Sequence, residues 1–178
     1  PNGPHHFGFD HWVSTTNFFD LNPVLSRNGK FEEFKGDSSE VVVEQALLFI
    51  SEKAKTQVPF FCVIWYGTPH SPFMSLKNDQ DDFIELDKNS KGHYAELKAM
   101  DRSIGTLRKG LSKLTVQENT LLWFMSDNGG LPKIDPPTNS NLRDYKGSLY
   151  EGGIRVPSII EWPSKIKNSQ ISKYPAGS

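Results

Sequence analysis

The sequence predicts an α/β fold, a layered domain whose central sheet is mostly parallel and flanked by helices. Three observations lead there. "EVVVEQALLFISEKA" carries apolar residues at helical spacing, "FFCVIWY" and "TLLWFM" are short runs that are apolar almost throughout, and such segments alternate as helix, strand, helix, strand. That alternation is the βαβ rhythm of layered α/β domains. Strands apolar on both faces fit the centre of a sheet covered on both sides.

The elements follow in chain order. Residues 1–36 are rich in Gly, Pro, Asn and aromatics without a sustained period. They read as irregular chain with a short strand or two, packed down by Phe7, Phe9, Trp12, Phe18 and Phe19. Asp37 then opens a helix over 38–54, with Glu40 three residues later completing a capping-box pattern. Val43, Ala46, Leu47 and Ile50 share one face of it, which outweighs the low propensity of three consecutive valines. A strand is expected over 60–66, followed by a loop that Gly67 opens, and 74–90 is polar and turn-rich. "HYAELKAMDRSIGTLRKGLSKL" is a long helix over 92–113, with Tyr94, Leu97, Ile104 and Leu111 along one face. Asp101 falls on that face too. An unpaired carboxylate there would be costly, so Asp101 is expected to be structural, accepting hydrogen bonds from backbone amides or a basic partner. The next strand is 120–125. A polar stretch, 131–144, leads to a further strand around 154–161.

Composition narrows the function. A chain of 178 residues can bury one ordinary core, and 36% hydrophobic with 12% aromatic residues argues against a disordered tail. Twenty Lys and Arg against 21 Asp and Glu leave a formal charge of -1, which gives no support to a nucleic-acid partner but allows a local positive pocket for a small anion. No apolar run approaches the roughly 20 residues of a transmembrane segment. Cys62 is the single cysteine and reads as a small buried hydrophobe. The chain begins with Pro1 and no initiator Met, so the lack of a signal peptide carries no weight.

Three loops carry residues suited to chemistry. His70 lies just beyond the carboxyl end of the 60–66 strand, where α/β sheets bind ligands, between Pro69 and Pro72, which restrict the backbone around it. Asp127 and Asn128 follow the second strand in "MSDNGG". A carboxylate and an amide oxygen are hard donors that suit calcium or magnesium, and Gly129 and Gly130 let the chain turn close to a ligand. Lys146, in "YKGSLYEGG", could set a point charge against a sulfate or phosphate oxygen. Taken singly, these are also an ordinary loop histidine, a plain Asx turn and a surface lysine. Together they are the parts that hydrolysis of a charged ester needs: metal and ammonium to offset negative charge, and an imidazole to protonate the departing oxygen.

On "FGFDHW", "YGTPHSPF", "HYAELKAMDRSIGTL", "NTLLWFMSDNGG" and "YKGSLYEGGIRVPSIIEWPSKI", in this order and over most of the chain, the sequence resembles the sulfatase family within the alkaline-phosphatase-like superfamily. The resemblance implies that His70 contacts the sulfate and protonates the leaving alcohol, that Lys146 contacts the sulfate, and that Asp127 and Asn128 ligate a calcium ion. It implies that Glu151, Gly152, Gly153 and Arg155 pack around the lysine loop. The family's formylglycine motif, Cys-x-Pro-Ser-Arg or Ser-x-Pro-Ser-Arg, does not occur in these residues, nor do its early Asp-Asp metal ligands and Lys-x-His motif. The expectation is therefore part of a sulfatase catalytic domain, residues 1–178, incomplete at the N-terminus and without the smaller C-terminal subdomain. Its parent would be a calcium-dependent sulfuric ester hydrolase with a formylglycine nucleophile, acting on a small-molecule or carbohydrate sulfate ester. The alternatives are a metal-dependent phosphoesterase of the same superfamily and an inactive binding or structural fragment. By family resemblance the parent is secreted, periplasmic or lysosomal. The isolated chain is expected to be inactive, and faces exposed by truncation could self-associate.

Overall fold

The computed structural model describes residues 3–15 and 21–174; Phe18 and Phe19 lie outside them. The chain divides into two compact units, residues 1–110 and 111–178.

The first unit opens with an antiparallel sheet of three short strands, β1 (Val13–Ser14), β2 (Val24–Arg27) and β3 (Lys30–Glu33), in the order β1-β2-β3. Asn28 and Gly29, both at positive φ, make the tight turn between β2 and β3, as an Asn-Gly pair does in a two-residue hairpin loop. Of the aromatics expected to pin this region, Phe9 stacks on Phe61 and Trp12 on His5. Phe7 does not, being 72% exposed.

Helix α1 (Ser38–Thr56) starts where Asp37 predicts, the Asp37 carboxylate accepting from the Ser39 amide at 2.8 Å. The reciprocal half of the capping box is not made, because Arg102 takes the Glu40 carboxylate at 2.6 Å. Val41, Val43, Ala46 and Ile50 are buried along its inner face. The polar stretch that follows contains a single-turn helix, α2 (Lys77–Gln80), and a short 3-10 turn (Asp81–Phe83).

Helix α3 (Lys88–Lys113) is capped by the Asp87 carboxylate, which accepts from the Asn89 and Ser90 amides. Its buried positions include His93, Ala95, Glu96, Ala99, Ser103 and Leu107. Asp101 is exposed, which overturns the expectation that it sits inward. At about 100° per residue, Asp101 points away from the line of Gly92, Glu96, Ala99 and Ser103. The helix packs by a face of small residues, and its larger apolar side chains flank that face. Arg102, beside Asp101, does make ion pairs, with Glu40 and with Asp79, the latter at 2.7 and 2.9 Å. These hydrogen bonds hold the Asp79 carboxyl below the usual carboxylate range.

Among the described residues every strand pairing is antiparallel, so the expected mostly parallel central sheet is not found there. Residues 60–66 form no strand among the described residues. Phe61 and Trp65 on one side of this segment are 78% and 87% exposed, while Cys62, Ile64 and Tyr66 on the other are half-buried. Burial pushes the Cys62 thiol up, in keeping with an unreactive core position.

In the second unit, β4 (Leu122–Met125) pairs with β5 (Ser158–Glu161), and the pairing is antiparallel, Met125 lying opposite Ser158 and Leu122 opposite Glu161. The physical reason is the connection. The chain returns to the sheet at the end it left, with the Ser126 amide reaching the Pro157 carbonyl at 3.4 Å. A parallel pair would need a crossover of a dozen or more residues back to the other end of β4, and the only helix in the connection, α4 (Glu151–Ile154), is a single turn. Among the described residues no helix is long and apolar enough to cross a membrane.

Candidate active site

His70 belongs to the first unit and sits at the exposed tip of the 67–74 loop. Its amide donates to the Gly67 carbonyl at 3.0 Å, and its Nδ1 lies 2.8 Å from the Ser71 carbonyl. A carbonyl only accepts, so Nδ1 carries the hydrogen. One tautomer is thus held by the loop's own backbone. Thr68, at the entry to the loop, accepts from the buried Ser39 hydroxyl at 3.1 Å. Tyr66, just before the loop, is tied to helix α3: the Ser103 hydroxyl donates to the Met100 carbonyl, which leaves the Tyr66 hydroxyl to donate to Ser103 at 3.0 Å.

The other predicted residues belong to the second unit. Asp127, exposed, and Asn128, half-buried, occupy the exit of β4 as the sequence predicts. The Ser126 hydroxyl donates to the Asn128 carbonyl at 2.8 Å and holds the turn. Lys146 is brought directly to this turn by its backbone, its amide donating to the Gly130 carbonyl at 2.9 Å. Both segments are seated on α4. The Gly129 amide donates to the Gly153 carbonyl, and the Gly152 amide to the Arg143 carbonyl. A Cβ on Gly129 would run into the Gly152 carbonyl, and one on Gly152 into the Asp144 carbonyl. "EGG" is therefore the seat on which the Asp127–Asn128 turn and the lysine loop meet, and any side chain at either position would push the two apart. Asn139, buried within the polar 131–144 stretch, donates to the Leu142 and Asp144 carbonyls at 3.1 and 2.6 Å and fixes the approach to Lys146. The Arg143 guanidinium lies 3.4 Å from the centre of the Tyr150 ring. Neither Asn139 nor Arg143 was singled out in the sequence, where a polar loop offers no periodicity to read.

The close backbone approach makes a prediction. Gly152→Ala should destabilise the chain by about 2 kcal/mol, the cost of overpacking where backbone is the obstacle. Urea unfolding followed by circular dichroism measures it, and an unchanged midpoint would contradict the seat described above.

The donors at the end of β4 suit a hard cation in kind, being a carboxylate and an amide oxygen. They are short of the six to eight oxygens that calcium takes, and among the described residues no cluster of three or more His, Cys, Asp or Glu forms a metal site.

Comparison with known proteins is consistent along nearly the whole chain. The family described as Sulfatase matches residues 2–177. The N-acetylgalactosamine-6-sulfatase of Canis lupus familiaris is 26% identical over 165 residues, covering 90% of this chain and 30% of that protein. The ulvan-active sulfatase of Formosa agariphila is 26% identical over 192 residues, covering 93% and 35%. The crystal structure of Ps i-CgsB in complex with k-i-k-neocarrahexaose superposes with a TM-score of 0.74 at 33% identity, over 79% of this chain and 31% of that one. The chain thus spans about a third of the length of the relatives it matches.

Proposed function

This chain belongs to the sulfatase family, and from that premise we propose that the protein carrying it hydrolyses the sulfate ester of a carbohydrate. In this reading His70 is the general acid, Lys146 binds the sulfate, and Asp127 and Asn128 are two of the oxygen ligands of a calcium ion. The observation that carries the reading is the joining of the lysine loop to the Asp127–Asn128 turn through the Lys146 amide and the Gly130 carbonyl. It brings the backbone of Lys146 against the Asp127–Asn128 turn, which supports a reading in which an ammonium and oxygen donors act together on an anionic ester. The carbohydrate rests on the names of the relatives: an N-acetylgalactosamine-6-sulfatase, an ulvan-active sulfatase, and a structure holding a neocarrahexaose.

The roles follow from chemistry. Ester cleavage leaves an alkoxide, and a proton delivered to that oxygen removes the charge as it forms. His70 is equipped for delivery because Nδ1–H is engaged by Ser71, so the imidazolium gives up its proton at Nε2. Lys146 offers three donors on a flexible stem and offsets charge on the sulfate oxygens. Calcium, when bound, adds a fixed positive charge that polarises the ester. The nucleophile, by family resemblance a formylglycine, comes from outside these residues, so the isolated chain should show no turnover. The same resemblance supports a secreted, periplasmic or lysosomal location.

The test uses the full-length gene product with calcium, supplied in parallel with a sulfated oligosaccharide and the matching phosphate ester. Ion chromatography should detect released sulfate and little phosphate. Faster phosphate release would transfer the protein to phosphoesterase chemistry, and turnover by the isolated chain would contradict the source of the nucleophile.

A further inference from the structure

The loop that carries His70 rests on two buried, ionisable side chains one turn apart on α3. His93 and Glu96 are each 2% exposed. His93 presents its ring edge-on to Phe73, centroids 5.4 Å apart, and the adjacent Gly92 leaves room for the Phe73 side chain, 2.7 Å from where a Cβ would stand. The Pro69 backbone lies beside the His93 ring and favours its protonated form against burial, while the Met74 backbone amide faces the Glu96 carboxyl. Pro69 and Met74 are thus faced, and Phe73 gripped, by the same helical turn, and residues 70–72 between them are exposed.

These contacts are more polar than packing alone requires. Both His93 ring nitrogens and Glu96 Oε2 are buried without closing a hydrogen bond in the structure, a costly state for side chains whose only task is to fill space. An alanine or leucine would support a loop without that cost. Polar groups at this depth earn their place when they fix a direction, here that of the Pro69 and Met74 backbone on either side of His70.

We propose that His93 and Glu96 are positioning residues for His70, holding the 69–74 backbone so that the Ser71 carbonyl keeps the His70 ring in its Nδ1–H tautomer. Their catalytic relevance rests on the reading of His70 as the acid, but the arrangement itself does not. Asp37, the α1 cap, raises the Glu96 carboxyl further by its charge, and Arg102 acts on Asp37 in turn.

The test reads the His70 ring and not turnover. Nitrogen-15 NMR of the histidine side chains, in the chain itself, reports the His70 tautomer and its titration midpoint. His93→Phe keeps the ring edge on Phe73 and deletes both nitrogens. Leu107→Val, lower on the same buried face, is the control for simple destabilisation. His93→Phe should mix the His70 tautomers and move the midpoint, while Leu107→Val lowers stability and changes neither. A wild-type tautomer and midpoint in folded His93→Phe would overturn the proposal. If that variant does not fold, His93→Gln decides, since its amide can still donate toward Pro69: a retained Nδ1–H tautomer supports the proposal, and a lost one overturns it. A His70 that proves dispensable for ester cleavage would sink the functional reading and leave this result standing.

Discussion

Glu96→Gln should stabilise the protein progressively, relative to wild type, as pH is raised from 5 to 8. Burial first, then the charge of Asp37, pushes the Glu96 carboxyl up to about 8 from a usual value near 4.5. Because the folded-state value is the raised one, the folded chain holds a proton that the unfolded chain gives up across this interval. The associated stability is fully present below about 4.5 and is lost as pH rises to about 8, at about 1.4 kcal/mol per pH unit. Glutamine mimics the protonated carboxyl and has no proton to lose, so that slope disappears. The absolute offset between the proteins includes the cost of a buried amide, which is the same at every pH. The change in their difference with pH is therefore the readout, from urea unfolding at half-unit steps. His93, which burial holds below its ordinary value, titrates in both proteins and drops out of the difference, while Asp37 enters it only through its coupling to Glu96. Parallel pH profiles for wild type and Glu96→Gln would show that Glu96 is ionised in the folded chain and that the floor of the His70 loop is misdescribed.

How much of this was legible in the sequence depended on whether the signal was local. Asp37 before an apolar period announced α1, and the run ending at Met125 announced β4, because capping and periodicity are written in adjacent residues. "SDNGG" and "YKGSLYEGG" were legible as loops, although their joining through Lys146 and Gly130 was not. Strand direction was illegible for a physical reason. An apolar run says that both faces of a strand are covered and says nothing about which neighbour pairs with it. The expectation of parallel pairing came from element order, and a connection that returned to the same end of β4 reversed it. The face of α3 was misread in part: Leu111 is buried as expected, but Tyr94, Leu97 and Ile104 are only half-buried. Here the interior is built from Gly92, Ala95, Ala99 and Ser103, which let backbones approach, and Asp101 consequently falls on the outside. His93 and Glu96 were not singled out, since a His and a Glu three positions apart on a helix carry no local mark of burial.

In the proposed reaction His70 and Lys146 carry the chemistry of ester cleavage, with Asp127 and Asn128 holding the metal. Sulfate release by the full-length gene product at saturating substrate tests it most directly, comparing His70→Ala, Lys146→Ala and Asp127→Ala with Asp101→Asn as the exposed control. Loss of the general acid should lower kcat by roughly 10²- to 10⁴-fold. Loss of the lysine should lower it by roughly 10²- to 10³-fold, as for other groups that offset transition-state charge. Asp127→Ala should raise the calcium concentration needed for activity, because one of few charged oxygens is gone. Asp101→Asn should match wild type. Wild-type kcat in both His70→Ala and Lys146→Ala, in protein that remains folded, would contradict the account whatever the fate of the calcium site.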